Sequence, residues 1–164
     1  MNETQRTRLR NAGFVTFFFS GICAISSGVV VSLLQEQYGF AYGMTGTLLS
    51  LMSIGNLLAG FLMAVLPGKL GMKPSALLLT AGYAVGYGLM GLVSGGGWAL
   101  AFFLVGLAKG SVINVCTILV SDNSADRTRG MNLMHSCYAM GALLCPFLIA
   151  AAAQVSLGLA LALL

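Results

Sequence analysis

Five stretches of this chain, residues 13–34, 43–66, 75–94, 98–120 and 130–153, run for twenty or more residues with a single lysine among them. About 20 mostly apolar residues are needed to carry a helix across roughly 30 Å of bilayer hydrocarbon. Each run is long enough, and each is too long and too uniformly apolar to be a strand of a soluble sheet. None alternates strictly between apolar and polar residues, which excludes a membrane β-barrel. The first run is longer than a signal-peptide core and is followed by further spans, so it is not read as a cleaved leader. The composition agrees: 58% of the residues are hydrophobic and only 7% are charged, against roughly a quarter charged in soluble domains. A soluble globule, a disordered chain, a nucleic-acid binder and a secreted disulfide scaffold are thereby excluded. The expected fold class is an all-α integral membrane bundle.

A sixth apolar run opens at Ser156 and the given sequence ends inside it, at Leu164. About nine residues make roughly 13 Å of helix, under half a bilayer. The expectation is an N-terminal six-helix bundle with five complete spans and a truncated sixth (156–164), a fragment of a longer protein. Residues 1–12 form a tail ahead of the bundle, residues 13–164.

Seven of the eight basic residues fall on one side of this topology. Arg6, Arg8 and Arg10 precede the first span, Lys69 and Lys73 lie between the second and third, and Arg127 and Arg129 between the fourth and fifth. Positive charge accumulates in cytoplasmic loops, so the N-terminus is expected in the cytoplasm of a cell (plasma or inner) membrane. Tyr38, Tyr42 and Trp98 are expected at the opposite interface, where amphipathic aromatics are favoured. The net charge of +4 is a topological signal, and no nucleic-acid partner follows from it.

Short connections imply antiparallel neighbours packed side by side. Pro67 is expected to close the second span, Pro74 to open the third, and Pro146 to kink the fifth. Gly82 with Gly86, and Gly106 with Gly110, form small-residue stripes that suit close helix packing, with a direct substrate role as the alternative.

Lys109 is the most informative residue. It lies eleven residues from either end of the fourth run, and a lysine snorkels too short a distance to reach water from there. Placing it in lipid costs about 3 kcal/mol on insertion scales, so it is expected to face a protein interior or a water-filled cavity. The chain's acids, Glu3, Glu36, Asp122 and Asp126, all lie outside the spans. Its charge is therefore met by another part of the protein, by an anionic solute, or by loss of the proton on burial; a water-filled vestibule without a specific ligand is the bland alternative. Asn114 shares a stripe with Gly106, Gly110 and Thr117 and suits a polar solute or a partner helix. His135 follows Asn132 by one turn, with Tyr138 close by: either a gate cluster that binds solute or responds to protons, or a polar clamp between helices. Asn56, Ser20, Ser26 and Ser27 are candidates of the same kind, although hydroxyls in membrane helices often bond back to their own backbone.

Enzyme signatures are missing: the sequence contains no phosphate-binding loop, no His-Glu-x-x-His and no Gly-x-Ser-x-Gly. One histidine cannot build a histidine-rich metal site. Cys23, Cys116, Cys137 and Cys145 lie within spans, widely spaced, and read as small apolar residues. No catalytic residue, metal or cofactor is expected.

The tail arginines, the short outer loops and the basic turn after the second span resemble the N-terminal half of a major facilitator superfamily transporter. The superfamily's loop signature has the form Gly-x-x-x-Asp-Arg-x-Gly-Arg-Arg. Here Lys69, Gly71 and Lys73 match it, Gly68 stands in place of the acid and Met72 in place of a basic residue. The run from Asn132 through His135 and Gly141 to Pro146 is similar to the fifth helix of the fucose-permease-like branch, and Phe103–Asn114 to its fourth. An acid common in that branch four residues before this Asn is Gly110 here, and Ser26, Ser27 and Gly28 occupy the neighbourhood of another. The resemblance implies a solute carrier of six-helix halves, with a small-molecule solute, the bilayer and a C-terminal half as partners. The expectation is a secondary transporter of a small polar solute, anionic or sugar-like, working by alternating access. Ser27, Asn56, Lys109, Gly110 and Asn114 would stand at the solute, and Asn132, His135 and Tyr138 at the cytoplasmic gate. The alternatives are a small oligomeric channel or scaffold, and a membrane enzyme.

Overall fold

The computed structural model describes residues 2–154, all helix and short turns. The elements are α1 (Glu3–Tyr38), α2 (Tyr42–Leu70), α3 (Met72–Thr80), α4 (Gly82–Leu92), α5 (Gly97–Asn123) and α6 (Arg127–Ala153). With α3 and α4 taken as one segment, five helices are long and apolar enough to cross a membrane. The chain is thus multi-pass. The sixth run lies outside the described residues.

The helix ends follow from local chemistry. α1 starts well ahead of the apolar run, because Asn2 and Gln5 form a reciprocal cap: Gln5 N–H donates to Asn2 Oδ1 at 2.9 Å and Asn2 N–H to Gln5 Oε1 at 3.2 Å. That box satisfies two of the donors every helix start leaves open. The arginine-bearing tail is therefore a helical extension of the first span. Pro67, expected to close the second span, lies inside α2 one turn from its end. A proline there removes one backbone bond near a frayed terminus, and the helix stops only at Gly71, whose φ of 88° lies in the left-handed region that favours glycine. The third span is interrupted at Ala81, between Thr80 and Gly82. Pro74 sits in the first turn of α3, where its missing N–H costs nothing.

Packing departs from chain order. The most extensive pairings are α2 with α5 and α1 with α6, while α1 and α2 barely meet. Short loops fix the antiparallel sense of consecutive spans, and the expectation that such neighbours pack side by side holds best for α4 with α5, fails for α1 with α2 and is weak for α5 with α6. Glycines select the partners instead. A Cβ on Gly21 would meet the Tyr138 carbonyl of α6, and one on Gly141 the Phe18 carbonyl of α1. Between α2 and α5, Gly55 lies against the Phe103 carbonyl, Gly106 against Met52 and Gly110 against Asn56. Gly82 and Gly86 bring α4 onto Leu104 and Ala101 of α5. With no hydrophobic force to join helices in lipid, close backbone approach is the main attraction on offer. The packing reading of both glycine stripes is what the structure shows.

α5 touches every other helix and supplies the centre of the core: Phe102, Val105, Ala108, Cys116 and Val120 are fully buried. Trp98, expected at the membrane interface, is buried as well. Its ring packs edge-on to Tyr38 at 4.9 Å and against Phe40 at 5.4 Å, and Nε1–H donates to the Met90 carbonyl at 3.4 Å. It plugs the end of the bundle, whereas Tyr38 and Tyr42 stay exposed.

Candidate functional site

The exposed residues of α2 fall into two stripes about 100° apart. Ile54, Leu57, Phe61 and Val65 form a bulky apolar stripe, each roughly half to two-thirds exposed. Ser53, Asn56, Gly60 and Ala64, one position earlier in each case, form an exposed stripe of small and polar residues. α6 repeats the pattern in its first half: Leu133 and Met140, continued by Leu144 and Phe147, make the apolar stripe, and Asn132, His135 and Ala139 the small and polar one, which gives way to exposed Leu143 ahead of Pro146. Bulky apolar residues suit lipid. The small and polar stripes suit a second protein surface or an aqueous path.

Lys109 belongs to the interior side of α5. It lies seven residues from Phe102 and from Cys116, so all three share a face, and both neighbours are 0% exposed. Lys109 itself is half-buried. It sits about 60° around α5 from Gly106, the contact with α2, on the side where Cys116 meets α1. That places it at the seam between α1 and α2, the two helices that both pack on α5 and scarcely on each other. No hydrogen bond or ion pair engages its ammonium among the described residues.

The other expected residues separate into two groups. Asn56, Asn132 and His135 are exposed on the small and polar stripes, with no side-chain hydrogen bond among the described residues. The edge of the His135 ring meets Phe17 at 5.6 Å, and half-buried Tyr138 packs on the same phenyl ring at 5.0 Å. Lys69, Gly71 and Lys73 are exposed around the α2–α3 turn. Ser27, Gly110 and Asn114 instead serve the helices. Ser27 Oγ is buried and donates to the Ala24 carbonyl at 3.0 Å. Asn114 Nδ2 donates to the Gly110 carbonyl at 2.7 Å, and Gly110 is closed over by α2. Asn114 lies about 140° around α5 from Lys109, five residues on, so the two do not converge. Ser20 and Ser26 turn toward α4, not toward a solute.

A tyrosine pair was not singled out from the sequence. Tyr83 and Tyr87, one turn apart on α4, stack at 6.3 Å with an interplanar angle of 4°. Tyr83 meets Ser20 Oγ at 3.3 Å, and Tyr87 meets Ser26 Oγ and donates to the Cys23 carbonyl, both at 2.5 Å. This ladder ties α4 to α1 through buried hydroxyls. Its sequence signal is two tyrosines at helical spacing, each directly after a packing glycine.

Comparison with known proteins adds the following. The family model of the Major Facilitator Superfamily matches residues 12–164. The chain is 26% identical over 155 residues to a protein named TsgA homolog from Yersinia pestis, an alignment covering 89% of this chain and 38% of that protein. The homolog of the same name from Yersinia pseudotuberculosis serotype O:3 aligns with the same identity and coverage. The chain thus spans 38% of the length of the curated relatives it matches. No solved structure matches it significantly.

Proposed function

The chain belongs to the major facilitator superfamily, and from that premise we propose that it forms the N-terminal bundle of a secondary transporter that moves a small polar solute by alternating access. Transporters of this kind hold solute near the bilayer midplane between two bundles that rock about it. Lys109 supports the reading most directly. It is a basic residue at mid-span depth, on an interior helix face, without a partner among the described residues. An anionic or carboxylate-bearing solute supplies the missing charge. Asn56 stands on the neighbouring helix as a polar contact. Asn132 and His135, near the start of α6, serve as gate residues, with Tyr138 packed beside them. Ser27, Gly110 and Asn114 keep the helices in place around the path.

The small and polar stripes of α2 and α6 are where a second bundle would close over the solute. The Asn132–Pro146 stretch supports a place beside the fucose-permease-like branch. The basic ends of α1, α2 and α6 support an N-terminus in the cytoplasm of the cell membrane. The test is uptake by the full-length protein carrying Lys109→Gln, which keeps the side chain polar and removes the charge. Transport of anionic solutes is expected to fall at least tenfold. Unchanged uptake of every transported solute refutes the proposal.

A further inference from the structure

The end of the bundle where α1 begins, α5 ends and α6 begins carries three buried polar atoms with no partner among the described residues: Arg10 Nε, Asn123 Oδ1 and Ser124 Oγ. Groups of this kind are rare, and each calls for a specific explanation. They border two adjoining cavities. One, of about 310 Å³, is lined by Arg10, Phe14, Ser124, Asp126, Arg129 and Leu133 among others. The second, of about 370 Å³, is lined by Glu3, Arg6, Arg10 and Asn123 among others. Arg10 is common to both. Asp126 Oδ1 is engaged by the Arg129 N–H at 2.9 Å as the cap of α6, and no ion pair holds Arg6, Arg10 or Arg129 among the described residues.

We propose that this pocket binds the phosphodiester headgroup of a phospholipid from the adjoining leaflet. The chemistry of the orphan atoms fits. Arginine favours phosphate geometry, and phosphate oxygens accept from the Arg10 guanidinium at the cavity. Arg10 Nε–H and the Ser124 hydroxyl lie out of reach of solvent, with Ser124 Oγ against Gly130, and join in when the pocket opens slightly around the headgroup. A headgroup hydroxyl, as in phosphatidylglycerol, donates to Asn123 Oδ1, since the phosphodiester itself carries no P–OH. The apolar surface beside the pocket selects lipid over a free ion. Leu133 forms its wall and begins the exposed ridge Leu133, Met140, Phe147, which are 51%, 60% and 70% exposed and spaced by seven residues along α6. An acyl chain lying on that ridge runs from the pocket straight into the hydrocarbon. Basic pockets between membrane helices suit anionic headgroups in this way. The pocket lies about 20 Å along α5 from Lys109, so it is separate from the solute path.

The test is lipid retention by the purified full-length protein, read by native mass spectrometry after exposure to phosphatidylglycerol or phosphatidylcholine. Phosphatidylglycerol is expected to be retained preferentially. Arg10→Gln is expected to lower its retention about tenfold, the loss of a charge-assisted contact. Ser124→Ala, the milder variant, lowers it about threefold. Arg8→Gln, exposed and outside both cavities, leaves it unchanged. Equal retention of both lipids by wild type and Arg10→Gln, with melting temperatures unchanged, overturns the proposal. Inorganic phosphate alone is expected to give no saturable melting shift. A shift that Arg10→Gln abolishes, with no preference between lipids, assigns the pocket to a free ion and overturns the lipid.

Discussion

Gly106→Ala is the sharpest probe of how this bundle holds together. The added methyl would overlap the Met52 carbonyl of α2, with Met52 C at 2.7 Å and Met52 Cα at 2.8 Å. All three obstacles are backbone, so no side chain can turn aside. Real Cβ contacts rarely fall below 3.4 Å, and the Met52 carbonyl oxygen lies nearer than its carbon, so α2 and α5 must separate by more than about 1 Å at the crossing. A gap of 0.5–1 Å forfeits a quarter to a half of each dispersion contact along the seam. Overpacking of this kind costs about 1–3 kcal/mol, and the better helix propensity of alanine returns at most about 1 kcal/mol. A net loss of about 1–2 kcal/mol is expected. Gly60→Ala on α2 is the matched control, since nothing lies within 4 Å of a Cβ there. The assay is equilibrium unfolding of the full-length protein in mixed detergent, the two variants side by side. If Gly106→Ala and Gly60→Ala unfold together, the glycine-mediated pairing of α2 with α5 is wrong.

Other substitutions test separate parts of the structure by the same assay. Tyr87→Phe removes the donor to the Cys23 carbonyl and the partner of Ser26; a loss of about 0.6–1.5 kcal/mol is expected, and Tyr83→Phe, with its longer 3.3 Å contact, should cost less. Trp98→Ala empties a site that is 2% exposed and should cost about 3 kcal/mol, whereas Tyr42→Ala, 84% exposed, should change stability little. Equal effects at Trp98 and Tyr42 would contradict the burial of the tryptophan in the bundle.

The membrane class and the spans were legible because each rests on a large local cost. A charge at mid-span or a polar residue in lipid is expensive wherever the helix ends up. The glycine stripes were legible as contact surfaces, but periodicity names a face and not its partner. For that reason α2 could be read as packing on its chain neighbours when it packs on α5. Trp98 sits in the first turn of α5, as an interfacial ring would, but the sequence carried no sign that it turns inward onto Tyr38 and Phe40. Ser27 and Asn114 looked available to a solute because hydroxyls and amides carry no sign of where they bond. In the fold both satisfy backbone carbonyls of their own helix. Tyr83 and Tyr87 escaped notice because tyrosine is common in such helices, and only the approach of α1 turns their hydroxyls into a ladder.

The account stands on Lys109 facing water in the intact protein, and cysteine labelling measures that directly. The native cysteines, four of them in this chain, are replaced by alanine, and Lys109→Cys and Phe61→Cys are made separately in the full-length protein. Membrane vesicles are then exposed to a charged thiol reagent that does not cross the bilayer. Phe61 is 64% exposed but lies on the bulky apolar stripe of α2, so its cysteine should stay unmodified in lipid. The cysteine at 109, more buried by area, should react, and transported solute should slow the reaction. An inert cysteine at 109, or one at 61 that labels as fast, contradicts the account.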